Sequence, residues 1–498
     1  MVGREDFDVV VVGGGAAGCV VAARLSESGS RSVLLLEAGP DLRANPPDKI
    51  RDGWQMMGRE LDWGDVSEPD ERGTVQKPRR VRILGGTSSL TRFALRGSPA
   101  DYDEWEALGN PGWGFVDVLP YLKRVETDLD FGDQPWHGGS GPIPVTRYRH
   151  LEPTEIHTAV LRSLEAAGFP PVDDHNRPGA VGVGRMPMNS RDGRRVATDL
   201  AYLPLGRTPP NLIIRSGTQV SEIVFEGMRA TGVRLLNGAV IDASCVVLSS
   251  GAFGSPPILL RSGLGPPDHL RSVGISVRLD LSGVGANLVD HPDVDIDCGY
   301  RGAARAAPRL HSVATFHSRG ASKNAAPDLM LWVYDPALPG NPLQVSVDVV
   351  LVKPRSRGSV RLRSTDPADL PRIDLPRLRE PSDLERLTEA YRRGWEVASW
   401  PAVRRLCAGP LLPEIHDDGE LRWAIRQTAT SIPHYVGTCA MGSSPEDGAV
   451  VDATGRVYGT ERLFIVDASI MPTVPSGFTH IPTIMIAERL SEQIAALL

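Results

Sequence analysis

Asp8-Val9-Val10-Val11-Val12-Gly13-Gly14-Gly15-Ala16-Ala17-Gly18 is the stretch that decides how this chain folds. The consecutive valines predict a strand buried on both faces. The glycines follow at once in G-x-G-x-x-G order, and Cys19 to Ser26 then reads as a helix carrying Val20, Ala23 and Leu25. A second apolar strand, Ser32 to Leu36, ends on Glu37 with Ala38 beside it. The glycine pattern alone is a weak signal. Strand, glycine turn, helix, strand and acid in this order form the dinucleotide-binding fingerprint. Gly13 allows the tight turn, Gly15 lets backbone approach a pyrophosphate, and Gly18 lets helix and strand pack closely. The helix N-terminus at Ala16 and Ala17 offers free N–H groups and partial positive charge to phosphates. Glu37 suits a ribose diol and repels a 2′-phosphate, which disfavours an NADP-type ligand. FAD and NAD both remain open at this point.

Outside this unit, composition sets broad limits. The chain has 498 residues, 41% hydrophobic and 23% charged, ordinary values for a globular protein large enough for more than one domain. A net charge of −7 argues against a nucleic-acid partner, which needs a basic face. Cys19, Cys245, Cys298, Cys407 and Cys439 are scattered and lack metal-ligand spacing, so free thiols and no metal site are expected. The polar start and the interrupted apolar runs predict neither a signal peptide nor a membrane span, and a cytoplasmic protein is expected. Gln344 to Lys353 and Gly358 to Arg363 read as strands, and Asp383 to Ala398 as a helix with Leu384, Leu387, Ala390, Tyr391 and Trp395 at helical spacing. Residues about 40 to 75, with Trp54, Met56, Met57 and Trp63, predict either a lid over a cavity or a packed loop.

Four further segments carry a family resemblance. They are Arg80-Val81-Arg82-Ile83-Leu84-Gly85-Gly86-Thr87-Ser88-Ser89-Leu90, the stretch Gly251-Ala252-Phe253-Gly254-Ser255-Pro256-Pro257 running on to Gly265, Gly283-Val284-Gly285-Ala286-Asn287-Leu288 with Asp290-His291-Pro292, and His434-Tyr435-Val436-Gly437-Thr438 running through Val466-Asp467-Ala468 to His480-Ile481-Pro482-Thr483. Together with the N-terminal unit, they resemble the glucose–methanol–choline (GMC) family of FAD oxidoreductases. Asp101 to Trp105, Gly138 to Pro144 and Ile470 to Pro475 most resemble its bacterial 5-hydroxymethylfurfural and aryl-alcohol oxidases. The resemblance implies an α/β fold in which a Rossmann-like FAD-binding domain, with a mostly parallel sheet, is interleaved with a substrate domain built on an antiparallel sheet backed by helices. The FAD domain would take residues 1–144, 191–295 and 431–498, and the substrate domain 145–190 and 296–430.

The implied chemistry is hydride transfer from an alcohol to FAD. A hydride leaves a carbinol carbon only as the hydroxyl proton leaves too, and histidine titrates in the range suited to accept it. By resemblance His434 is the acid/base. His480 gives a second hydrogen bond to the substrate oxygen, so that one neutral and one charged imidazole can share the work. The other histidines mostly sit in surface-like contexts. Leu84, Gly85, Gly86, Ser88 and Ser89 would lie along the pyrophosphate and flavin, Val220 at the adenine and Asp467 at the ribityl chain and isoalloxazine edge, with Gly251, Ala468, His480 and Pro482 also binding the cofactor. Asp467 also reads simply as a cap of the turn that follows.

Departures from the family matter as well. Thr91 replaces the usual Asn, Val81-Arg82 the usual Gly-Lys, and Arg92 a small or apolar residue. Thr91, Arg92 and Tyr435 are the candidate substrate contacts. Arg92 is a possible clamp for a carboxylate, or else a surface arginine paired with an acid. Leu90 stands where some relatives attach FAD through His, so non-covalent FAD is expected. The partners implied are a small alcohol and O₂ or a quinone-type acceptor. Other activities of the family stay open: a choline-type dehydrogenase, a redox-silent lyase of the hydroxynitrile type, and a light-driven decarboxylase.

Overall fold

The computed structural model describes residues 5–52, 58–301, 311–334, 344–410 and 415–498. The valine run forms the centre of a seven-stranded sheet. Its strand Asp6–Val12 pairs in parallel with Val33–Leu36 on one side and Val240–Leu248 on the other, with Val10 opposite Leu34 and Val246. Leu212–Arg215 extends the parallel part beyond Val33–Leu36. The strand Val240–Leu248 forks. Its start pairs antiparallel with Arg229–Leu235, which continues to Val220–Glu226, and its end pairs in parallel with Leu463–Ile465. Val9, Val10 and Val11 have no exposed surface, which is why the run shows no alternation. Each fully buried valine contributes about 1.5–3 kcal/mol.

The first helix spans Ala16–Ser26 and so begins three residues before the expected Cys19. Extended Gly15 is its N-cap and provides no side-chain cap, which leaves the first-turn N–H groups open. The C-terminal helix His480–Leu497 packs against this helix and against Phe115–Val125. Among the described residues no helix is long and apolar enough to cross a membrane.

The second sheet has eight strands and is antiparallel apart from the pairing of Pro171–Val172 with Gly182–Arg185. Its long strand Val289–Tyr300 pairs with Gln344–Leu351 along one edge. Along the other it pairs with Cys407–Pro410 and Thr430–Val436. Helices Glu155–Ala166 and Pro381–Ser399 back this sheet. The latter covers the expected 383–398, with Leu384, Leu387, Ala390 and Tyr391 buried. Helix and sheet touch at Gly394, where a Cβ would meet Val349 at 2.8 Å.

The mixed α/β architecture agrees with expectation, but two proposed boundaries do not coincide with the sheets. Strand Val289–Tyr300 runs across 295/296, and Thr430–Val436 across 430/431. His434 therefore stands on a strand of the antiparallel sheet. Pro292 and Pro433 lie within these strands and remove backbone donors, which hid both segments from strand-pattern reading.

Candidate active site

A cavity of about 1150 Å³ lies between the two sheets. Its walls come from the carboxyl ends of the parallel strands (Val12-Gly13, Leu36-Glu37, Ser249 to Gly251 and Asp467) and from Trp332 and Thr430 to Tyr435 of the antiparallel sheet. Ligands of open parallel sheets bind at such strand ends. The volume exceeds the roughly 300–1,000 Å³ of a drug-sized site, which suits a dinucleotide together with a small substrate.

The nucleotide end is a cradle of close backbone contacts. A Cβ on Gly18 would lie 1.8 Å from the Gly13 carbonyl oxygen, so helix and strand can meet only at glycine. Gly86 meets Gly15 in the same way, 2.8 Å from a would-be Cβ to Cα. Gly13, Gly15, Ala16, Ala17, Glu37, Ala38, Gly86 and Ser88 all face the cavity. Leu84, Gly85, Gly18, Ser89 and Pro482 are not in its wall; they stand behind it as supports. Leu84 packs against Gly14, Gly85 N–H donates to Gly14 O (2.7 Å), and the Ser89 carbonyl accepts from Arg195 (2.5 Å). Pro482 is buried in the first turn of the last helix.

Glu37 is held in place by accepting hydrogen bonds from Gly14 N–H (2.8 Å) and Gly39 N–H (2.7 Å). Burial raises its pKa. Val220 lines the far end, beside Thr218 and Gln219. Asp467 makes the expected cap and also lines the cavity. It caps the short helix Ala468–Ile470 through Ser469 N–H (2.8 Å), and it faces the cavity while accepting from Gly251 N–H (2.8 Å) and Ser255 Oγ (2.6 Å). Gly251 and Ala468 line the wall beside it. With uncapped helix N–H groups, an acid at the expected ribose position and glycines where chain segments touch, these residues fit an FAD molecule.

The other end is aromatic. Phe93 meets Trp332 edge-on at 4.5 Å and stacks on Phe478 at 5.2 Å. His434 packs against Phe478 at 4.9 Å. His434 and His480 both face this space. The hydrogen-bonded partner of His434 is His291, with Nδ1 to Nδ1 3.0 Å and the rings at 84°. Asp290 fixes the backbone of both, accepting from His291 N–H (2.8 Å) and His434 N–H (3.0 Å) as well as from Ser431 Oγ.

Burial dominates the electrostatics here. It lowers His480 to about 3 and His291 to about 4, and holds His434 well below the usual histidine range, where the neighbouring His291 adds to the effect. It raises Asp290 well above the carboxylate range. The expected pairing of one neutral with one charged imidazole is therefore corrected. All three rings are neutral near pH 7, because desolvation outweighs every partner.

The surface-like setting expected for most other histidines is corrected too. His137, His157, His175, His291 and His311 are buried. The sequence signal for His291 was present in Asp290-His291-Pro292, but its partner lies 143 residues away.

Of the proposed substrate contacts, Thr91, Arg92 and Tyr435 all line the cavity. The Arg92 guanidinium lies 5.7 Å from the Phe93 ring centre. Burial, followed by the Arg92 charge, pushes the Arg195 pKa down to about 9. Tyr435 stacks on Phe253 at 4.3 Å. Of the proposed lid, Trp63 lines the wall beneath Arg80, which Asp65 holds at 2.8 and 3.0 Å. Trp54, Met56 and Met57 lie outside the described residues. The wall carries Arg59, Lys77, Arg79, Arg80, Arg82, Arg92 and Arg261 against Glu37, Asp369 and Asp467, an excess of cations in an acidic chain. Asp62 and Asp65 offset Arg79 and Arg80.

Among the described residues one cluster has metal-ligand geometry that the sequence did not suggest: Glu126, Asp128 and His137. Glu126 Oε1 and both Asp128 oxygens are already engaged, and Glu126 Oε2 is buried beside them. Arg96 pairs with Glu126 (3.2 Å), Arg147 with Asp128 (2.6 Å), and His137 bridges Glu126 (2.7 Å) and Asp174 (2.9 Å). This is a buried ion-pair network whose charges are met by guanidinium groups.

Comparison with known proteins agrees with this geometry. Residues 7–293 and 354–487 match the N- and C-terminal models of the family described as GMC oxidoreductase. An uncharacterised GMC-type oxidoreductase of Rhodococcus erythropolis is 38% identical, with 97% of each chain covered. The 5-(hydroxymethyl)furfural oxidase of a Methylovorus species is 35% identical, with 98% of each covered. Among solved structures, pyridoxine 4-oxidase from Mesorbium loti superposes with a TM-score of 0.90 at 30% identity, covering 98% of each chain. The chain belongs to the GMC oxidoreductase family, FAD-binding enzymes that act on CH–OH donors.

Proposed function

We propose that this protein oxidises a primary alcohol borne on an aromatic or heteroaromatic ring to the aldehyde. The observation that carries the proposal is the joining of two ends in one cavity. A glycine cradle suited to a dinucleotide opens onto His434 and His480, beside a box of Phe93, Trp332 and Phe478. The box suits a flat ring. Two relatives are named as oxidases of 5-(hydroxymethyl)furfural and of pyridoxine, ring compounds that carry hydroxymethyl groups. Arg92, 5.7 Å from the Phe93 ring centre, puts a cation beside this box and disfavours a choline-like substrate.

FAD, when bound, supplies the two-electron acceptor for the carbinol hydride. His434, kept neutral, takes the hydroxyl proton, a role worth roughly 10²–10⁴-fold in rate. His480 Nε2 is buried without a hydrogen-bond partner among the described residues and serves as the second contact to the substrate oxygen. Phe93, Trp332 and Phe478 exclude water and orient the ring. Leu90 in the wall leaves no histidine there for covalent attachment, so FAD is held non-covalently and denaturation releases it. O₂ is the favoured reoxidant, as in the two relatives named oxidases.

The test is anaerobic mixing of the yellow holoenzyme with 5-(hydroxymethyl)furfural, benzyl alcohol and choline, followed by O₂ or an artificial acceptor. Bleaching by the two aryl alcohols, and recovery on O₂, is expected. Colour unchanged by every alcohol, with cyanohydrin cleavage or light-dependent decarboxylation instead, overturns the proposal.

A further inference from the structure

We infer that His291 is a positioning residue that fixes the tautomer of His434, so that Nδ1 of His434 carries the hydrogen and Nε2 presents a lone pair to the substrate. The inference rests on the role proposed above for His434. The contact itself is direct, Nδ1 to Nδ1 at 3.0 Å with the rings nearly perpendicular. A single hydrogen must lie between these nitrogens, because two would clash and none would oppose lone pairs. Two arrangements follow. If His291 donates, His434 Nδ1 is the acceptor and its Nε2 carries hydrogen, which makes the ring a donor with no basic nitrogen toward the alcohol. If His434 donates, its Nε2 is free to accept a proton.

The rest of the His291 environment chooses between them. Among the described residues its buried Nε2 has no hydrogen-bond partner at ordinary length. The polar backbone atoms acting on the ring are carbonyl oxygens of Pro475 and Val352, which favour ring N–H. Because His291 Nδ1 faces His434, a ring hydrogen that answers to those carbonyls is carried on Nε2. With Nε2 protonated and the ring neutral, His291 Nδ1 is the acceptor and His434 donates to it.

The charges around the pair are arranged for this state. Lys353 acts on His291 from one side and is itself held by Asp101 (3.0 Å), Glu104 (2.7 Å) and the Val474 carbonyl (2.8 Å). Asp290, adjoining both backbones, is driven toward its neutral form. Phe478 packs edge-on against His434 at 4.9 Å. A positive charge on His291 is thus disfavoured. When the substrate proton reaches His434 Nε2, the cation is stabilised by donating from Nδ1 to His291. The alcohol O–H bond breaks, an N–H bond forms at Nε2, and the electron pair of the C–H bond goes to the bound FAD.

The test uses the holoenzyme selectively ¹⁵N-labelled at histidine, together with His291→Asn and His291→Phe. In the parent, His434 is expected to show a hydrogen-free Nε2 and a protonated Nδ1. His291→Asn keeps an acceptor oxygen near the Nδ1 position and should retain that tautomer and most of the anaerobic flavin-bleaching rate. His291→Phe removes the acceptor and should lose that rate by on the order of 10²-fold, with little change in substrate KM, the pattern of a base held in the wrong tautomer. A protonated His434 Nε2 in the parent overturns the inference even where alcohol bleaches the flavin. Equal losses in the Asn and Phe variants overturn it as well. If instead alcohol fails to bleach the parent, the functional proposal is refuted, while the tautomer remains readable in the same spectra.

Discussion

Replacing His480 by Asn should flatten the acid limb of the protein's stability curve by an amount that follows from burial. His480 sits at the start of the last helix, 7% exposed, and desolvation is the sole cause depressing its pKa to about 3. Unfolding returns it to about 6.5. The unfolded chain therefore binds a proton first as pH falls. The contribution of neutral His480 is fully present above pH 6.5 and is lost progressively between 6.5 and 3. At pH 5 the loss spans 1.5 pH units, and at 1.36 kcal/mol per unit this is about 2 kcal/mol. Asn has no such linkage. Urea unfolding of parent and His480→Asn holoenzyme at pH 7.5 and pH 5, followed by tryptophan fluorescence, should show the parent losing about 2 kcal/mol more than the variant. Comparing the two proteins cancels the opposite contributions of Asp293 and Asp199, whose pKa values are raised to about 7 and about 6 and which favour the folded state as pH falls. Parallel loss in the two proteins would refute the claim that His480 is buried neutral.

Other substitutions probe the remaining parts. Gly18→Ala puts a Cβ 1.8 Å from Gly13 O and should yield protein with little or no bound flavin, measured as the ratio of visible to ultraviolet absorbance. Phe478→Ala removes a ring that touches Phe93, Trp332 and His434 and should raise KM for aryl alcohols by about tenfold, from the 0.5–1.5 kcal/mol of an aromatic pair plus lost area. Unchanged kinetics would mean that the box does not hold the substrate. Arg92→Ala should cost more with a carboxylate-bearing alcohol than with a neutral one, and equal losses would exclude a clamp.

The nucleotide half was readable because its signals are local. Val9 to Val12 are uniformly buried, and Gly13 and Gly18 are fixed by contacts a Cβ would destroy. The substrate half depends on distant pairing. Asp293, Asp295 and Asp297 alternate with Val294, Ile296 and Cys298 along one strand, yet carboxylates on its other face give a poor strand signature, and Pro292 interrupts it. Asp293 reaches Thr430, and His291 reaches His434, across more than 130 residues. His434 itself came from resemblance; no periodicity marks it. The neutral state of the histidines was not legible, since desolvation depends on what the whole fold stacks around a ring.

The account stands or falls on whether His434 takes the proton as the alcohol gives up hydride. Anaerobic stopped-flow reduction of the flavin by 5-(hydroxymethyl)furfural, compared between the parent and a His434→Ala protein of equal flavin content, measures that step alone. A fall of about 10²–10⁴-fold is predicted. Reduction of the variant at the parental rate would contradict it.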